Sequence, residues 1–298
     1  MLNKLKTMLN KSEHVNPFDW LKQKISNTNQ KVVLFGSPGN LGDMLIVAST
    51  IQCLEQRGID FSVGSERYYE ANSGNDIYVI MGGGNYIPLY NSVRKMLDHI
   101  EKHAPNSEVV VLPSSSYGME KHLQSLKLKI TFFCRELETY KSVSSALSKS
   151  QVFLSHDAAL YIDLQDRRFR AMRNMRKVLK GRAGDTLHAI REDREKTENF
   201  VVEERHNNID ISSLRTNRGS EVLSKHAIDI DSVFEDVNFM LMYLLPFEKI
   251  VSDRLHVCIG ALLLGKKVDM YDNSYGKLSR VYRNSLKDRF DDLIELHL

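Results

Sequence analysis

Short apolar runs recur along the first half of the chain, at 31–36, 60–63, 77–81, 108–112, 130–134 and 151–154. Segments with helical apolar spacing fall between several of them, at 42–57, 91–104 and 136–148. Strands separated by helix-length segments predict a parallel sheet covered on both faces. A second run follows, with strands expected at 186–190, 227–230, 249–251 and 267–271 and helices near 232–245, 254–264 and 277–296. This patterning divides the chain into an N-terminal helical extension (1–30), a first α/β domain (31–165), a basic linker (166–185), a second α/β domain (186–276) and a C-terminal helix (277–298). The polar stretch Glu192 to Lys225 has no period and reads as a long loop. Two α/β domains imply a cleft, with ligands held at the carboxyl ends of the strands.

The chemistry-bearing residues gather at those strand ends. From Lys249 to Gly265 the chain reads K-I-V-S-D-R-L-H-V-C-I-G-A-L-L-L-G. Arg254 and His256 therefore lie where a buried strand gives way to a helix N-terminus, a place that favours an anion. Arg254 offers a planar fork suited to phosphate or carboxylate, and His256 can move a proton near neutral pH. A structural role for such a pair competes with the functional one. After the first strand comes Ser37-Pro38-Gly39-Asn40-Leu41-Gly42-Asp43, then a helix. Its spacing fits neither a Walker A loop nor a G-x-G-x-x-G fingerprint, so by itself it says only that a glycine turn lets a ligand approach the backbone.

Composition narrows the field. A net charge of +3 on 298 residues, with no aromatic-interleaved basic stripe, argues against nucleic acid. The scattered Cys53, Cys134 and Cys258 form neither a C-x-x-C pair nor a zinc spacing, fit a reducing cytosol, and no metal site is expected. Lys4, Lys6, Lys11 and Glu13 break any signal-peptide core, and the apolar run Phe239 to Phe247, interrupted by Pro246, is too short to span a bilayer. The expected location is cytoplasmic. Leu2, Leu5, Met8 and Leu9 could form one face of a short helix, packed or frayed, or a membrane anchor. The arginine-rich 166–185 reads as a solvated face or as a contact for an anionic acceptor or the inner face of the membrane.

Gly39-Asn40-Leu41-Gly42-Asp43, Gly82-Gly83-Gly84-Asn85 and Arg254-Leu255-His256, with weaker echoes in Cys134-Arg135-Glu136 and Ser155-His156-Asp157, together resemble the polysaccharide pyruvyl transferase family. The resemblance runs from about Lys31 to about Lys277. It implies two Rossmann-like domains facing a cleft, similar to the GT-B architecture, with the acceptor on the N-terminal side and the donor on the C-terminal side.

It also implies a reaction: transfer of a pyruvyl group from phosphoenolpyruvate, as co-substrate with no cofactor, to a sugar of a surface polysaccharide or its lipid-linked precursor, forming a ketal. The donor carries a carboxylate and a phosphate, so at least two cations are needed; Arg254, Arg191 and Lys277 are the candidates, each with a competing reading as a surface charge. His256 is the candidate acid and Asp43 the candidate base, although Asp43 equally suits a helix cap. Asn40, Asn85, Arg135 and Asp157 are expected on the acceptor side, Asp157 also as an alternative base. Ser155-His156-Asp157 is no hydrolase triad, because consecutive residues on an extended chain point to alternate faces. Rival readings are a GT-B glycosyltransferase, for which Glu195 and Glu203 have a matching spacing, and a non-catalytic relative in polysaccharide assembly.

Overall fold

The structure, a computed structural model, describes residues 14–26, 28, 30–36, 39–64, 76–90, 92–147, 151–179, 185–193, 208–214, 229–273 and 276–298. The expected N-terminal face of Leu2, Leu5, Met8 and Leu9, most of the 192–225 loop, and Glu195 and Glu203 lie outside the described residues.

Helix α1 (Pro17–Ser26) precedes a seven-stranded parallel sheet built from β1 (Val32–Phe35), β2 (Phe61–Val63), β3 (Ile77–Ile80), β4 (Gly83–Tyr86), β5 (Glu108–Ser116), β6 (Lys129–Cys134) and β7 (Gln151–Leu154). The spatial order is β2-β1-β3-β5-β6-β7, with β4 pairing beside β5. Strands buried on both faces read as continuous apolar runs, and alternate residues serve different layers. Val32, Leu34, Val79 and Val110 enter one core, while Val33, Tyr78, Ile80 and Val111 enter the other. The second of these is closed by α3 (Ser92–His103), α4 (Glu120–Ser125) and α5 (Leu137–Ala146).

The first core does not stop at one sheet. Helix α2 (Leu41–Gln56) packs against α7 (Ile230–Leu244), and the same cluster continues through Leu187, Ile250 and Met270 of a second parallel sheet. That sheet has the order β11-β10-β9-β8, from β8 (Thr186–His188), β9 (Lys249–Ser252), β10 (Lys267–Tyr271) and β11 (Ile294–His297). Because α2 has apolar partners on nearly every side, it is apolar nearly all round. Helix α8 (Leu255–Leu263) follows β9 and is equally enclosed. Among the described residues no helix is long and apolar enough to cross a membrane.

Four expectations are corrected. Gly83–Tyr86, which falls between the strand expected at 77–81 and the helix expected at 91–104, is itself a strand, joined to β5 through Gly83 opposite Ser114 and Tyr86 opposite Ser116. Residues 277–296 are not one helix: α9 (Lys277–Val281), a π-turn, α10 (Lys287–Phe290) and a 3-10 turn lead into β11, whose Ile294 and Leu296 pair with Val268 and Met270. At 227–230 the first two residues lie outside the described set, and Asp229 caps α7 by accepting from the Asp231 and Ser232 amides, so Ile230 is helical. The 166–185 segment is more than a connection, since Phe169 and Met172 are buried and anchor helix α6 (Arg170–Leu179).

Candidate active site

A cavity of about 310 Å³ lies at the carboxyl ends of the strands, walled by residues following both sheets. Asn40, Asp43 and Asn85 come from the first sheet's side; Arg191, Arg254, His256 and Lys277 come from the second. The turn into α2 is held by a reciprocal cap. Asn40 Oδ1 accepts from the Gly42 amide at 2.8 Å, and Asp43 Oδ2 accepts from the Asn40 amide at 2.9 Å, the pattern that satisfies orphan N–H groups at a helix start. Gly42 is required there, because a Cβ would stand 2.9 Å from His256 Cβ.

His256 sits in the first turn of α8, 7% exposed, between two carboxylates. Its Nδ1 lies 3.5 Å from Asp43 Oδ1 and its Nε2 lies 3.6 Å from Asp157 Oδ2. Both are charge contacts slightly beyond hydrogen-bond length. Asp157 is fully buried and accepts from Arg135 Nη1 at 2.7 Å and from the Ala159 amide at 2.9 Å. Burial opposes its ionisation, but the Arg135 guanidinium, with His256 and the amide, holds the carboxyl well below the usual range. Arg135 is itself fully buried and donates from Nε to Ser115 Oγ at 2.7 Å, which donates in turn to Glu136 Oε2 at 2.8 Å. Burial pushes the Glu136 carboxyl up, against the pull of Arg135 and of hydrogen bonds from Thr139 and Ser115.

The opposite wall is cationic. Arg254 Nε and Nη2 grip Asp210 at 2.6 and 2.5 Å, and Nη2 also reaches Asp193 Oδ2 at 3.2 Å. Arg191 donates to the same Asp193 carboxylate from Nε at 2.6 Å and Nη2 at 2.9 Å. Asp210 is buried with Arg254, whereas Asp193 is 46% exposed. Lys277 reaches in beside Gly84, where a Cβ would come within 2.7 Å of its Nζ and 3.1 Å of Arg135 Nη2. Cations, a histidine and a carboxylate thus face one small space.

The family model described as polysaccharide pyruvyl transferase matches residues 40–275. The chain belongs to this family. A Bacillus subtilis (strain 168) protein named "Putative pyruvyl transferase EpsO" is 25% identical over 293 residues, covering 86% of this chain and 88% of that protein. General stress protein 30 of the same organism is also 25% identical over 293 residues, covering 89% and 80% respectively. The crystal structure of a functionally uncharacterised protein from Klebsiella pneumoniae subsp. pneumoniae NTUH-K2044 shares the fold, with a TM-score of 0.77, 24% identity and coverage of 95% of this chain and 99% of that one. Membership of the polysaccharide pyruvyl transferase family carries a pyruvyl transfer role in polysaccharide biosynthesis.

Of the residues singled out in the sequence, His256, Asp43, Arg254, Arg191, Lys277, Asn40 and Asn85 all line the cavity. Arg135 and Asp157, expected against the acceptor, do not. Both are wholly enclosed, because each neutralises the other behind His256. Asp43 caps the helix through Oδ2, and its Oδ1 faces His256. The residues of Ser155-His156-Asp157 disperse, with Ser155 Oγ 3.3 Å from Tyr161 OH and His156 Nδ1 3.0 Å from Ser285 Oγ. Sequence reasoning missed Asp193 and Asp210, the carboxylates that hold the arginines. The available signal was Ile209-Asp210-Ile211, an apolar-flanked acid inside a polar stretch, where Ile211 is fully buried. Among the described residues, one grouping has three metal-ligand types, Asp269, Glu295 and His297; none lines the cavity, and Lys249 pairs with Asp269.

Proposed function

We propose that this chain transfers a pyruvyl group from phosphoenolpyruvate to a saccharide, forming a pyruvate ketal. The observation that carries the reading is the convergence of Arg191 and Arg254 on one carboxylate, that of Asp193, beside His256. Two guanidinium forks meeting on a single anion suit a ligand that brings its own carboxylate and phosphate. The donor's anion takes the place of the half-exposed Asp193, while the buried Asp210 keeps Arg254 oriented. Lys277 supplies the third positive charge.

His256 gives a proton to the methylene carbon of the enolpyruvyl group, leaving an oxocarbenium-like centre. A sugar hydroxyl adds to that centre and its proton passes to Asp43, from which His256 Nδ1, 3.5 Å away, recovers it. A second hydroxyl of the same sugar then displaces phosphate, which leaves with the remaining proton as the ketal ring closes. Asn40 and Asn85 hold the acceptor, and Asp157 with Arg135 fixes the imidazole from behind. No metal or cofactor enters this scheme. The two sheets are read as two Rossmann-like domains in a GT-B-like arrangement, the first near 31–165 and the second from about 186 through β11, which the sheet pairing adds to the expected 186–276.

The test is phosphate release from phosphoenolpyruvate with a panel of saccharide acceptors, the ketal being identified by NMR. The wild-type chain should release phosphate only with acceptor present. Release of a nucleoside diphosphate from a nucleotide sugar, with phosphoenolpyruvate inert, would instead support a glycosyltransferase.

A further inference from the structure

The second sheet has another cationic region at its opposite end. Its described residues 167–179 carry six arginines and lysines and no acidic residue, and helix α6 forms most of that stretch. Ala171, Met175 and Val178 stand at i, i+4 and i+7, so they share one face of the helix. All three are exposed, Met175 by 43% and Val178 by 73%. Arg170 and Lys177, also exposed, run in a parallel row beside that stripe.

The buried side of α6 borders a groove of about 680 Å³, whose floor includes Met172, Leu245 and Leu264 and whose rim includes Arg173, Arg176 and Lys266. These rim cations are braced on backbone carbonyls: Arg176 Nη2 on Leu264 O at 2.9 Å, Lys266 Nζ on Leu245 O at 2.6 Å and Arg173 Nη1 on Leu164 O at 2.7 Å. Such bracing fixes their positions without cancelling their charge. Among the described residues, Glu248 is the one carboxylate on the groove's wall. Leu245 and Leu264 precede β9 and β10, so this surface faces away from the strand ends that hold the active-site cavity.

We propose that α6 and the groove beside it form a docking surface for an anionic phospholipid bilayer. An exposed apolar stripe flanked by cations is what an interfacial helix presents to headgroups and the acyl boundary, and the positive charge left once Arg168 pairs with Glu55 and Asp166 is complementary to an anionic leaflet. The active-site cavity does not contribute to this contact, and the inference does not depend on the donor chosen above.

The experiment is flotation of the purified full chain with vesicles of phosphatidylcholine alone and of phosphatidylcholine with phosphatidylglycerol. The wild-type chain is expected to float only with the phosphatidylglycerol vesicles, and less as salt is raised. Replacing Arg170→Gln and Lys177→Gln together should weaken binding about 30-fold, and Met175→Ser with Val178→Ser should weaken it further. All four side chains are exposed, so the melting temperature should stay unchanged in both variants. Wild-type chain left unbound by phosphatidylglycerol vesicles, equal binding to neutral vesicles, or folded variants that float like wild type would each overturn the proposal.

Discussion

His256 and His156 both lie just beyond the end of a parallel strand, yet their surroundings differ in sign. His256 has a carboxylate opposite each ring nitrogen, from Asp43 and Asp157. His156 stacks on His14 with ring centroids 4.0 Å apart and touches the Ser285 hydroxyl. Burial, with the positive charge of Arg289 and His14, pushes its pKa down to about 3. One imidazole is set among anions at the wall of a cavity; the other is kept neutral as part of the packing. Position at a strand end therefore nominates a histidine, and the charges that the fold brings up behind it decide its use.

The largest effect should separate the two directly. His256→Ala is expected to lower pyruvyl transfer by roughly 10²–10⁴-fold, the usual contribution of a general acid, while His156→Ala leaves turnover of the folded enzyme near wild type. Steady-state phosphate release measures both. Next in size is Asp157→Ala, which strands Arg135 in the interior without its counter-charge. A loss of about 3–5 kcal/mol in stability is expected, read from a denaturant transition. Smaller still is Asp193→Ala, which removes the carboxylate shared by Arg191 and Arg254. Phosphoenolpyruvate should then bind roughly tenfold more tightly, the worth of one charge-assisted hydrogen-bonding competitor; weaker binding would mean that Asp193 orients the arginines.

The remaining effect is in pH dependence. Unfolded His156 takes up a proton near pH 6.5, whereas in the fold it resists until about pH 3. The unfolded chain therefore binds more protons across that window, and stability falls as pH drops from 6.5 toward 3. His156→Gln should flatten the slope of the denaturation midpoint with pH over the upper part of this range, with no change in the pH profile of turnover.

Much of this site was legible in the sequence because its parts are local. The cap of Asn40 and Asp43 spans four residues, and Arg254 and His256 sit at the junction of one strand and one helix. Period located most of the strand ends, the family resemblance nominated residues at them, and seven of those residues line one cavity. Asp193 was not legible and Asp210 showed only through its apolar flanks, since they pair with Arg254 across 61 and 44 positions of chain from a stretch with no periodicity. Arg135 misled for a different reason. A charged residue at a strand end is expected to face solvent or ligand, and only the fold shows that Asp157 and Ser115 enclose it. Strand β11 was hidden because Ile294 and Leu296 continue an apolar pattern that begins as helix.

The central claim is that Arg191 and Arg254 form the donor's anion site. Calorimetric titration of phosphoenolpyruvate into the wild-type chain and into Arg191→Gln tests it most directly, with a panel of UDP-sugars alongside. The account predicts saturable binding to the wild type that is lost in a folded Arg191→Gln variant. Undiminished binding to that variant, or a wild-type chain that ignores phosphoenolpyruvate and binds a UDP-sugar, would contradict it.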